Sequence, residues 1–408
     1  MVLIESKDRL RVLHIVTVPF TGVFMVSPIA RRQTERDYSV EFACGTGEYL
    51  DKLKQFGFPV MVVSLSRNLL SYSHVLAVYQ LWRLMSRRQY HVVHTHTPIA
   101  SFLGRIAAVL AQVPIVIYHM RASWWDLPDA NSLARLGFTI VEWTIAHLVR
   151  TDHVFVLNSS DALHLIKQRL VSPDRVTCLH SGASGVDTER FDPNRITDEQ
   201  RKCLKTELGI GNSDFVIGFI GRMVREKGIV ELAVAFRDVI RCVPTAKLLF
   251  VGGVLSSEHD KKAIEDIRVI ISDDSDLADK IIFTSFRDDV PDLLAIMDVL
   301  VLPSHREAFG MVMAEAAAMA CPVIATNTPG AREAVIPGKN GLIVPIGNVE
   351  ALKNAILQLA DDPHLRRRMG EAGRRIALER FDELVVFQKI DEVYVRLLRE
   401  KGVPVPSK

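Results

Sequence analysis

Two carboxylates, Glu307 and Glu315, lie on either side of the start of a predicted helix that follows the apolar strand Val299–Leu302. The first N–H groups of a helix have no partner within it, and Gly310 lets a ligand approach the backbone beside Phe309. The helix start therefore suits a phosphate or diphosphate. Eight residues advance a helix by about 80° past whole turns, so both carboxylates can face one side. Each carboxylate can accept hydrogen bonds from vicinal hydroxyls.

Two cations, Arg222 and Lys227, follow a predicted buried strand over residues 214–221. A pair of cations can hold a dianion and stabilise charge that develops on a leaving diphosphate. The alternative is a solvated basic loop, because Arg225 and Glu226 lie between them.

A third group of polar and aromatic residues follows the predicted strand at residues 115–118. His119 ends that strand, and Arg121, Trp124 and Trp125 come directly after it. A histidine can donate a hydrogen bond, an arginine can bind an anion, and tryptophan rings can stack on sugar faces. The alternatives are a strand-end histidine bonded to backbone and a structural loop with one buried tryptophan.

His91, His94 and His96 raise the question of a metal. His94 and His96 point to one face of a strand, but no nearby cysteine or acidic ligand completes a tetrahedral set. The five cysteines are scattered and form no C-x-x-C pair. We therefore predict no metal, no zinc site and no disulfide framework.

Apolar runs alternate with helical patterns through the first half of the chain, which is typical of a parallel α/β sheet. Predicted strands cover residues 12–18, 92–94, 115–118, 153–157 and 176–179, and predicted helices cover 69–88, 99–111 and 132–149.

A second α/β array follows a turn-rich segment at residues 182–212. Its predicted strands cover 214–221, 247–251, 280–283, 299–302, 322–325 and 341–344, and its predicted helices cover 228–241, 290–297 and 309–319. Residues 351–400 are helical, with breaks at 361–363 and 381–382. We expect an N-terminal Rossmann-like domain over 1–195, a C-terminal one over 196–383, and a last helix over 384–400 that returns to the first. Ligands of such sheets bind at the carboxyl ends of strands, so the cleft between the domains is the expected site.

The chain has 408 residues and a net charge of +2, which gives no reason to expect nucleic acid as a partner. No apolar stretch reaches the 18 or so residues of a membrane span, and charges near the start argue against an export signal. We expect a cytoplasmic protein. Lys and Arg outnumber Asp and Glu in the first 195 residues, and Arg83, Arg87 and Arg88 lie beside apolar residues of one helix. That helix fits an anionic membrane surface or, alternatively, a core-facing stripe with a basic edge.

Four motifs occur together in an order that resembles one enzyme family. EAFGMVMAE at 307–315 resembles the E-x7-E signature of retaining glycosyltransferases of family 4, which have the GT-B fold. GRMVREKG at 221–228 resembles that family's G-R-x-x-x-x-K-G segment, and GVDTERFDP at 185–193 its G-V-D-x-x-x-F-x-P stretch. HTHTPIASFLGRIAA at 94–108, followed by VPIVIYHM at 113–120, resembles the N-domain pattern that ends in a histidine.

The resemblance implies a role for each matched position. His119 and Glu307 are the implied catalytic residues. Arg121, Trp124 and Trp125 lie where acceptor recognition usually occurs. The first strand is followed by a loop with one glycine, Gly22, where family members often have a glycine-rich loop. The implied donor-binding residues are Gly22, Arg222, Lys227, Glu307, Phe309, Gly310, Met311, Val312 and Glu315.

The implied reaction transfers a sugar from a nucleotide-diphosphate donor, most simply a UDP-sugar, to a glycan or polyprenyl-linked acceptor in bacterial surface polysaccharide or glycolipid synthesis. No residue presents itself as a carboxylate nucleophile, so a front-face route with retention is expected, without cofactor or metal. Alternatives are a nucleotide-sugar epimerase, a sugar phosphorylase and a non-enzymatic sugar-nucleotide-binding subunit. A dinucleotide dehydrogenase is excluded because GFIGR at 218–222 lacks G-x-G-x-x-G.

Overall fold

The computed structural model describes residues 9–66, 71–121, 123, 125, 140, 142–144, 146–147, 149–254 and 262–405. The chain divides into two compact units. Unit 1 comprises Met1–Leu179 and Glu383–Lys408, and unit 2 comprises His180–Asp382. Both units alternate strands with helices, and this confirms the predicted α/β class.

The division between the units lies at residues 179 and 180, whereas the sequence analysis placed it at 195. The physical reason is that residues 180–195 pack within unit 2. Val186 forms a parallel β-bridge with Asp382. Arg374 Nη1 donates hydrogen bonds to the backbone carbonyls of Thr188 and Phe191, at 3.2 and 2.6 Å.

The described part of unit 1 contains a seven-stranded parallel sheet with the strand order β3-β2-β1-β4-β5-β6-β7. The sequence analysis did not predict β2 and β3. β3 has only three residues, which is too short for a recognisable hydrophobic pattern. The strands are β1 Arg11–Val16, β2 Ser39–Cys44, β3 Val60–Val62, β4 Val92–His96, β5 Ile115–His119, β6 His153–Val156 and β7 Val176–Cys178.

Helices cover the unit 1 sheet. The predicted helix over 132–149 lies largely outside the described residues. The helices are α1 Pro19–Thr21, which continues through a π-helical segment Gly22–Val26 into α2 Ser27–Glu35, α3 Leu50–Gln55, α4 Ser73–Arg88, α5 Pro98–Leu110 and α6 Ser159–Lys167.

The described part of unit 2 contains a six-stranded parallel sheet with the order β10-β9-β8-β11-β12-β13. All six strands match predicted ones to within two residues at each end. They are β8 Phe215–Ile220, β9 Ala246–Val251, β10 Ile281–Thr284, β11 Val299–Leu302, β12 Val323–Thr326 and β13 Gly341–Val344.

The helices described in unit 2 are α7 Asp198–Glu207, α8 Ile229–Cys242, α9 Ala263–Ser272, α10 Val290–Ala295, α11 Met311–Ala318, α12 Pro329–Ala334, α13 Val349–Asp361 and α14 Pro363–Ile376. The sequence analysis did not predict α7, α9 and α12.

The last helix, α15 Glu383–Glu400, belongs to unit 1. Tyr38 Oη donates to a carboxylate oxygen of Asp391 at 2.9 Å, and Tyr394 Oη lies 2.7 Å from Nδ1 of His94. The Tyr394 side chain is fully buried. A helix that is distant in sequence thus supplies part of the unit 1 core.

The strand orders define where each unit can bind a ligand. The direction of winding reverses between β1 and β4 in unit 1 and between β8 and β11 in unit 2. In open parallel sheets, ligands bind at the carboxyl ends of strands where the winding reverses, because the flanking connections diverge there and leave a crevice. The residues after these four strands are therefore the ones to examine.

Gly228 begins α8 with a backbone φ of +69°, and a Cβ there would lie 2.1 Å from the carbonyl oxygen of Pro303. We predict that Gly228→Ala lowers the melting temperature, because the clash with rigid backbone adds to the cost of a positive φ, which is about 1–2 kcal/mol. Gly209→Ala is the control, since Gly209 has a φ of +67° and open space around it. Calorimetry that finds equal losses for the two variants would contradict the close packing of these loops.

Candidate functional site

The loops that follow β8 and β11 touch each other at the switch point of unit 2. The backbone N–H of His305 donates to the carbonyl of Glu226 at 2.8 Å. Gly228 permits the close approach to Pro303 described above. These backbone contacts bring the motif that contains Lys227 next to the motif that contains Glu307.

Lys227 and Glu307 form an ion pair between these two loops. Their side chains are 14% and 13% exposed, so the pair is largely shielded from water. Ser304, which is fully buried, donates its hydroxyl to Oε1 of Glu307 at 3.2 Å. We call Lys227, Ser304 and Glu307 the clamp. The structure thus brings together two of the predicted site residues and adds Ser304, which the sequence analysis missed because a serine after a strand carries no distinct signal.

Arg222 lies on the same loop but outside the clamp. Its Nη2 atom is 3.9 Å from a carboxylate oxygen of Glu226, and both side chains are about one-third exposed. Glu226 therefore has the role of a local counter-charge, and the loop is not simply a solvated basic segment.

The start of α11 lies directly beside the clamp. Gly310 has a φ of +75°, and a Cβ there would lie 3.5 Å from the carboxyl carbon of Glu307. The Phe309 ring is buried 5.6 Å from the ring of Phe381, so this residue offers a ligand only its backbone. Met311 packs its thioether against the backbone of Gly182, and Val312 is half-buried.

Glu315 lies one turn further along α11 in a poorly solvated position. Burial raises the pKa of its carboxyl to about 7, and the positive charge of Arg190 partly opposes this rise. Among the described residues, no hydrogen bond or ion pair engages this carboxylate. Arg190 was not singled out from the sequence, although it lies within the matched stretch at 185–193. An unpaired, half-buried carboxylate is a costly group that a ligand hydroxyl can stabilise.

Unit 1 gathers histidines at its own switch point. His14 on β1 pairs in register with His94 on β4, and His96 on β4 pairs with His119 on β5. All four side chains are fully buried, and the rings of His94 and His96 stack 4.3 Å apart. The sequence analysis missed His14, although a single histidine in the apolar strand RVLHIV was the available signal.

A chain of hydrogen bonds fixes where the protons of this cluster lie. Arg121 donates to Nδ1 of His96 at 3.2 and 2.9 Å, and arginine can only donate. His96 therefore carries its proton on Nε2 and donates it to Nδ1 of His14 at 2.9 Å. His14 in turn carries its proton on Nε2 and donates to Oε1 of Gln33 at 2.7 Å. We call this sequence of bonds the histidine relay.

Burial keeps the histidine rings uncharged at neutral pH. It lowers the pKa of His14 to about 4 and lowers the pKa values of His94, His96 and His119 well below their usual range. His119 differs from the others because, within the described residues, neither of its ring nitrogens has a hydrogen-bond partner. It is therefore not the backbone-bonded histidine of the alternative interpretation.

The three nitrogen atoms that lie within 4.8 Å of one another belong to His14, His94 and His96. His91, which the sequence analysis considered with the last two, instead accepts a hydrogen bond from the backbone N–H of Arg11 at 3.0 Å. A cation at the trio would have to displace the proton from Nε2 of His96 beside the positive charge of Arg121. The relay therefore competes with a metal at this trio.

Two predicted positions have mainly structural surroundings. Gly22 does not lie in a loop: it begins the π-helical segment, its N–H bonds to the carbonyl of Pro19, and a Cβ there would lie 2.9 Å from Leu53. The reason is that the chain after β1 turns directly into a helix. Trp125 stacks on His164 with 4.0 Å between ring centroids and is half-buried. Trp124 lies outside the described residues.

Comparisons with family models and with individual proteins agree on one family. Residues 200–376 match the family model described as Glycosyl transferases group 1, and residues 23–182 match that described as Glycosyl transferase 4-like domain. EpsD of Bacillus subtilis is 30% identical over 327 residues, which cover 78% of this chain and 80% of EpsD. The capsular polysaccharide biosynthesis glycosyltransferase CapM of Staphylococcus aureus is 28% identical, with coverage of 96% of this chain and 98% of CapM.

The chain belongs to the group 1 glycosyl transferases. As a member of that family it is a glycosyltransferase, and the similarities favour this activity over the epimerase and binding-subunit alternatives. This glycosyltransferase is also 24% identical to the UDP-Gal:alpha-D-GlcNAc-diphosphoundecaprenol alpha-1,3-galactosyltransferase of Escherichia coli, over 97% of this chain and all of the relative.

The fold of this glycosyltransferase also matches solved structures. The Anabaena protein Alr3699/HepE, crystallised in complex with UDP and glucose, superposes with a TM-score of 0.80 at 22% identity. The match covers 95% of this chain and 100% of the Anabaena chain. The likeness confirms the predicted GT-B fold with two Rossmann-like domains.

Glu315 gives a pH-dependent prediction. Because burial raises the pKa of the Glu315 carboxyl to about 7 from the usual 4.5, the folded protein binds more protons than the unfolded chain between these pH values. Stability conferred by the neutral form is therefore lost as the pH rises toward 7. We expect Glu315→Gln to melt higher than the native protein at pH 8 and at nearly the same temperature at pH 4.5.

Thermal unfolding at both pH values checks this expectation, with Glu199→Gln on the exposed first turn of α7 as the control. A Glu315→Gln variant that is destabilised equally at both pH values would show that the carboxylate is needed in its charged form by the fold.

Proposed function

We propose that this glycosyltransferase transfers a sugar from a UDP-sugar to a glycan or lipid-linked acceptor, with retention of the anomeric configuration and without a metal or cofactor. The observation that carries the proposal is the clamp, which places a cation and a carboxylate beside the open start of α11. A diphosphate and a sugar need these two kinds of group side by side.

In this proposal the donor diphosphate replaces Glu307 as the partner of Lys227. Without donor, Lys227 and Glu307 neutralise each other, which avoids two uncompensated charges in a poorly solvated place. When the diphosphate binds, Lys227 pairs with it, and Arg222 and the N–H groups of Met311 and Val312 add further donors. Glu307 is then released to accept hydrogen bonds from the sugar hydroxyls.

The same groups act on the leaving diphosphate. As the bond between sugar and diphosphate breaks, negative charge grows on the leaving oxygen, and preorganised cations and helix N–H groups lower the free energy of that state. His119 is neutral at pH 7, so it acts as a hydrogen-bonding group toward the donor sugar rather than as a strong acid. The departing diphosphate accepts the acceptor proton on the same face, which gives retention. Glu315 binds the nucleotide ribose.

Relatives support the choice of donor and acceptor. The Anabaena protein was crystallised with UDP, and the Escherichia coli relative is by name a transferase from UDP-Gal to a diphosphoundecaprenol-linked sugar. CapM is by name an enzyme of capsular polysaccharide biosynthesis. We extend this class of donor and acceptor to the present chain and infer a role in bacterial surface polysaccharide synthesis.

Substitutions in the clamp test the exchange of partners. Lys227→Met should weaken UDP binding roughly 10- to 100-fold, as expected for a lost charged hydrogen bond. Glu307→Gln should bind UDP at least as tightly as the native protein, because the diphosphate no longer competes with a carboxylate for Lys227. Sugar transfer by this variant should nevertheless fall by about 100-fold or more.

Isothermal titration with UDP and a sugar-transfer assay provide the two measurements. Lys247→Met, at an exposed contact with the backbone of Asp279, is the matched control. Normal transfer by Glu307→Gln, or unchanged UDP affinity in Lys227→Met, would overturn the clamp as the donor site.

We further propose that unit 1 docks on an anionic membrane surface through one face of α4. Leu81, Leu84 and Met85, which the sequence analysis placed beside the arginines, are buried in the core. A second apolar stripe faces water instead, because its residues recur at helical spacing on the opposite side. We call this stripe with its two exposed arginines the α4 surface: Tyr72, Val75, Leu76, Tyr79, Trp82, Arg83 and Arg87.

The composition of the α4 surface fits an interfacial helix. Tyr72 is 97% exposed and Val75 79% exposed, so the apolar groups lack a cover within the described chain. Aromatic rings favour the headgroup region, and arginines pair with anionic lipids. In the described residues no helix combines the length and apolarity needed to cross a bilayer. The proposed association is therefore peripheral, at the inner face of the cell membrane, where a lipid-linked acceptor would be presented.

Vesicle co-sedimentation tests this docking. The native protein should bind vesicles that contain phosphatidylglycerol more tightly than pure phosphatidylcholine vesicles. The Arg83→Glu/Arg87→Glu variant should bind these vesicles about 30-fold more weakly, since each of the two basic residues contributes about 1 kcal/mol. Leu163→Ser, at an exposed apolar residue of α6, should bind normally. Equal binding of the native protein and the double variant would refute the α4 surface.

A further inference from the structure

Arg121 is a buried cation that has no counter-charge among the described residues. Its side chain lies just beyond the carboxyl end of β5 and is 8% exposed. Nε and Nη2 donate to the neutral ring of His96, while Nη1 has no hydrogen-bond partner among the described residues. A buried charge is normally paired, because removing it from water costs several kcal/mol.

A second buried arginine of unit 1, Arg105, has partners for its hydrogen-bond donors and a nearby carboxylate. Arg105 is 3% exposed, donates to the carbonyl of Ser101 at 3.2 Å and to the hydroxyl of Thr151 at 3.1 Å, and lies 4.0 Å from a carboxylate oxygen of Glu142. Its guanidinium also stacks 4.8 Å from the centroid of the Tyr118 ring. Within the described part of the chain Arg121 has none of these neutralising contacts, and burial is the cause that lowers its pKa.

The histidines of the relay do not compensate the positive charge of Arg121, because their rings are neutral. His96 can only accept from it, and the protons of His96 and His14 are committed to the next bond of the relay. Burial lowers the pKa of Arg121 only to about 9, so the guanidinium remains charged at neutral pH. The charge is therefore a permanent feature of this end of the sheet.

Other buried polar atoms close to Arg121 also lack partners. Both ring nitrogens of His119 and Nε2 of His94 have none among the described residues. The His119 ring lies 5.4 Å from that of His96, to which Arg121 is bonded, and 5.5 Å from that of His94. Each unpartnered polar atom in a low-dielectric site is destabilising, so a group of them near a cation that has no counter-charge among the described residues favours a bound ligand.

We propose that Arg121 binds an oxyanion carried by the acceptor, a phosphate or carboxylate group. The oxyanion would supply the missing negative charge to the Nη1 side of the guanidinium. The attribution to the acceptor rests on the proposed function, since the donor diphosphate is assigned to the clamp of unit 2. An acceptor that carries a phosphate close to its reacting sugar has the required chemistry.

The test uses inorganic pyrophosphate as a probe with the full-length protein saturated in UDP, so that the donor site is occupied. Isothermal titration should detect pyrophosphate binding to the native protein. Arg121→Gln should weaken this binding roughly 10- to 100-fold, as expected for a lost charged hydrogen bond, and Arg121→Lys should restore most of it. Arg396→Gln is the matched control, because Arg396 also donates to a histidine, at 3.1 Å from Nδ1 of His153, outside the cluster.

The outcomes separate this proposal from the proposed function. Absence of pyrophosphate binding in the presence of UDP, or equal binding by the native protein and Arg121→Gln, would overturn the oxyanion site even if transfer is normal. A loss of UDP affinity in Arg121→Gln would also overturn it, since the anion would then be the donor's. If Arg121→Gln does not fold, Arg121→Lys decides, because it should bind pyrophosphate within about tenfold of the native protein. In a transfer assay with a phosphate-bearing acceptor, Arg121→Lys should raise the acceptor KM and leave the UDP-sugar KM unchanged.

Discussion

Parallel pairing is the constraint on which both sites depend. Because every strand of a parallel sheet ends at the same side, residues distant in sequence meet there. In unit 2 this side brings Lys227 to Glu307, and in unit 1 it brings His14 to His94 and His96 to His119. Gly228 has no side chain, and this lets the loops after β8 and β11 come close enough for Lys227 to contact Glu307.

The two sites solve the problem of buried charge in different ways. In unit 2 a cation and a carboxylate compensate each other, so neither charge is left unpaired in a poorly solvated place. We propose that the donor diphosphate then takes the place of the carboxylate. In unit 1 the rings are kept neutral by burial, and a single donor-only residue, Arg121, determines the tautomers of His96 and His14. The unit 2 site is held by an ion pair, and the unit 1 site by a series of hydrogen bonds that all donate in one direction.

Local pattern was sufficient to predict most of the fold and part of the site. The strands of unit 2 are apolar runs between turn residues, and the Glu307 and Lys227 motifs lie at strand ends, so both could be recognised. β3 and α9 were missed because short or weakly patterned segments are ordered mainly by tertiary packing. His14, Ser304 and Tyr394 could not be assigned, since their contacts depend on strand order and on a helix far along the chain. Gly22 misled because a glycine after a strand usually signals a loop.

The return of α15 to unit 1 has a consequence for synthesis on the ribosome. Unit 2 is a continuous segment, so its core can close before α15 has been made. Unit 1 lacks Tyr394 and Asp391 until α15 emerges, and its core stays unfinished on that side. The strands of unit 1 are thus made before those of unit 2, yet unit 1 is completed later.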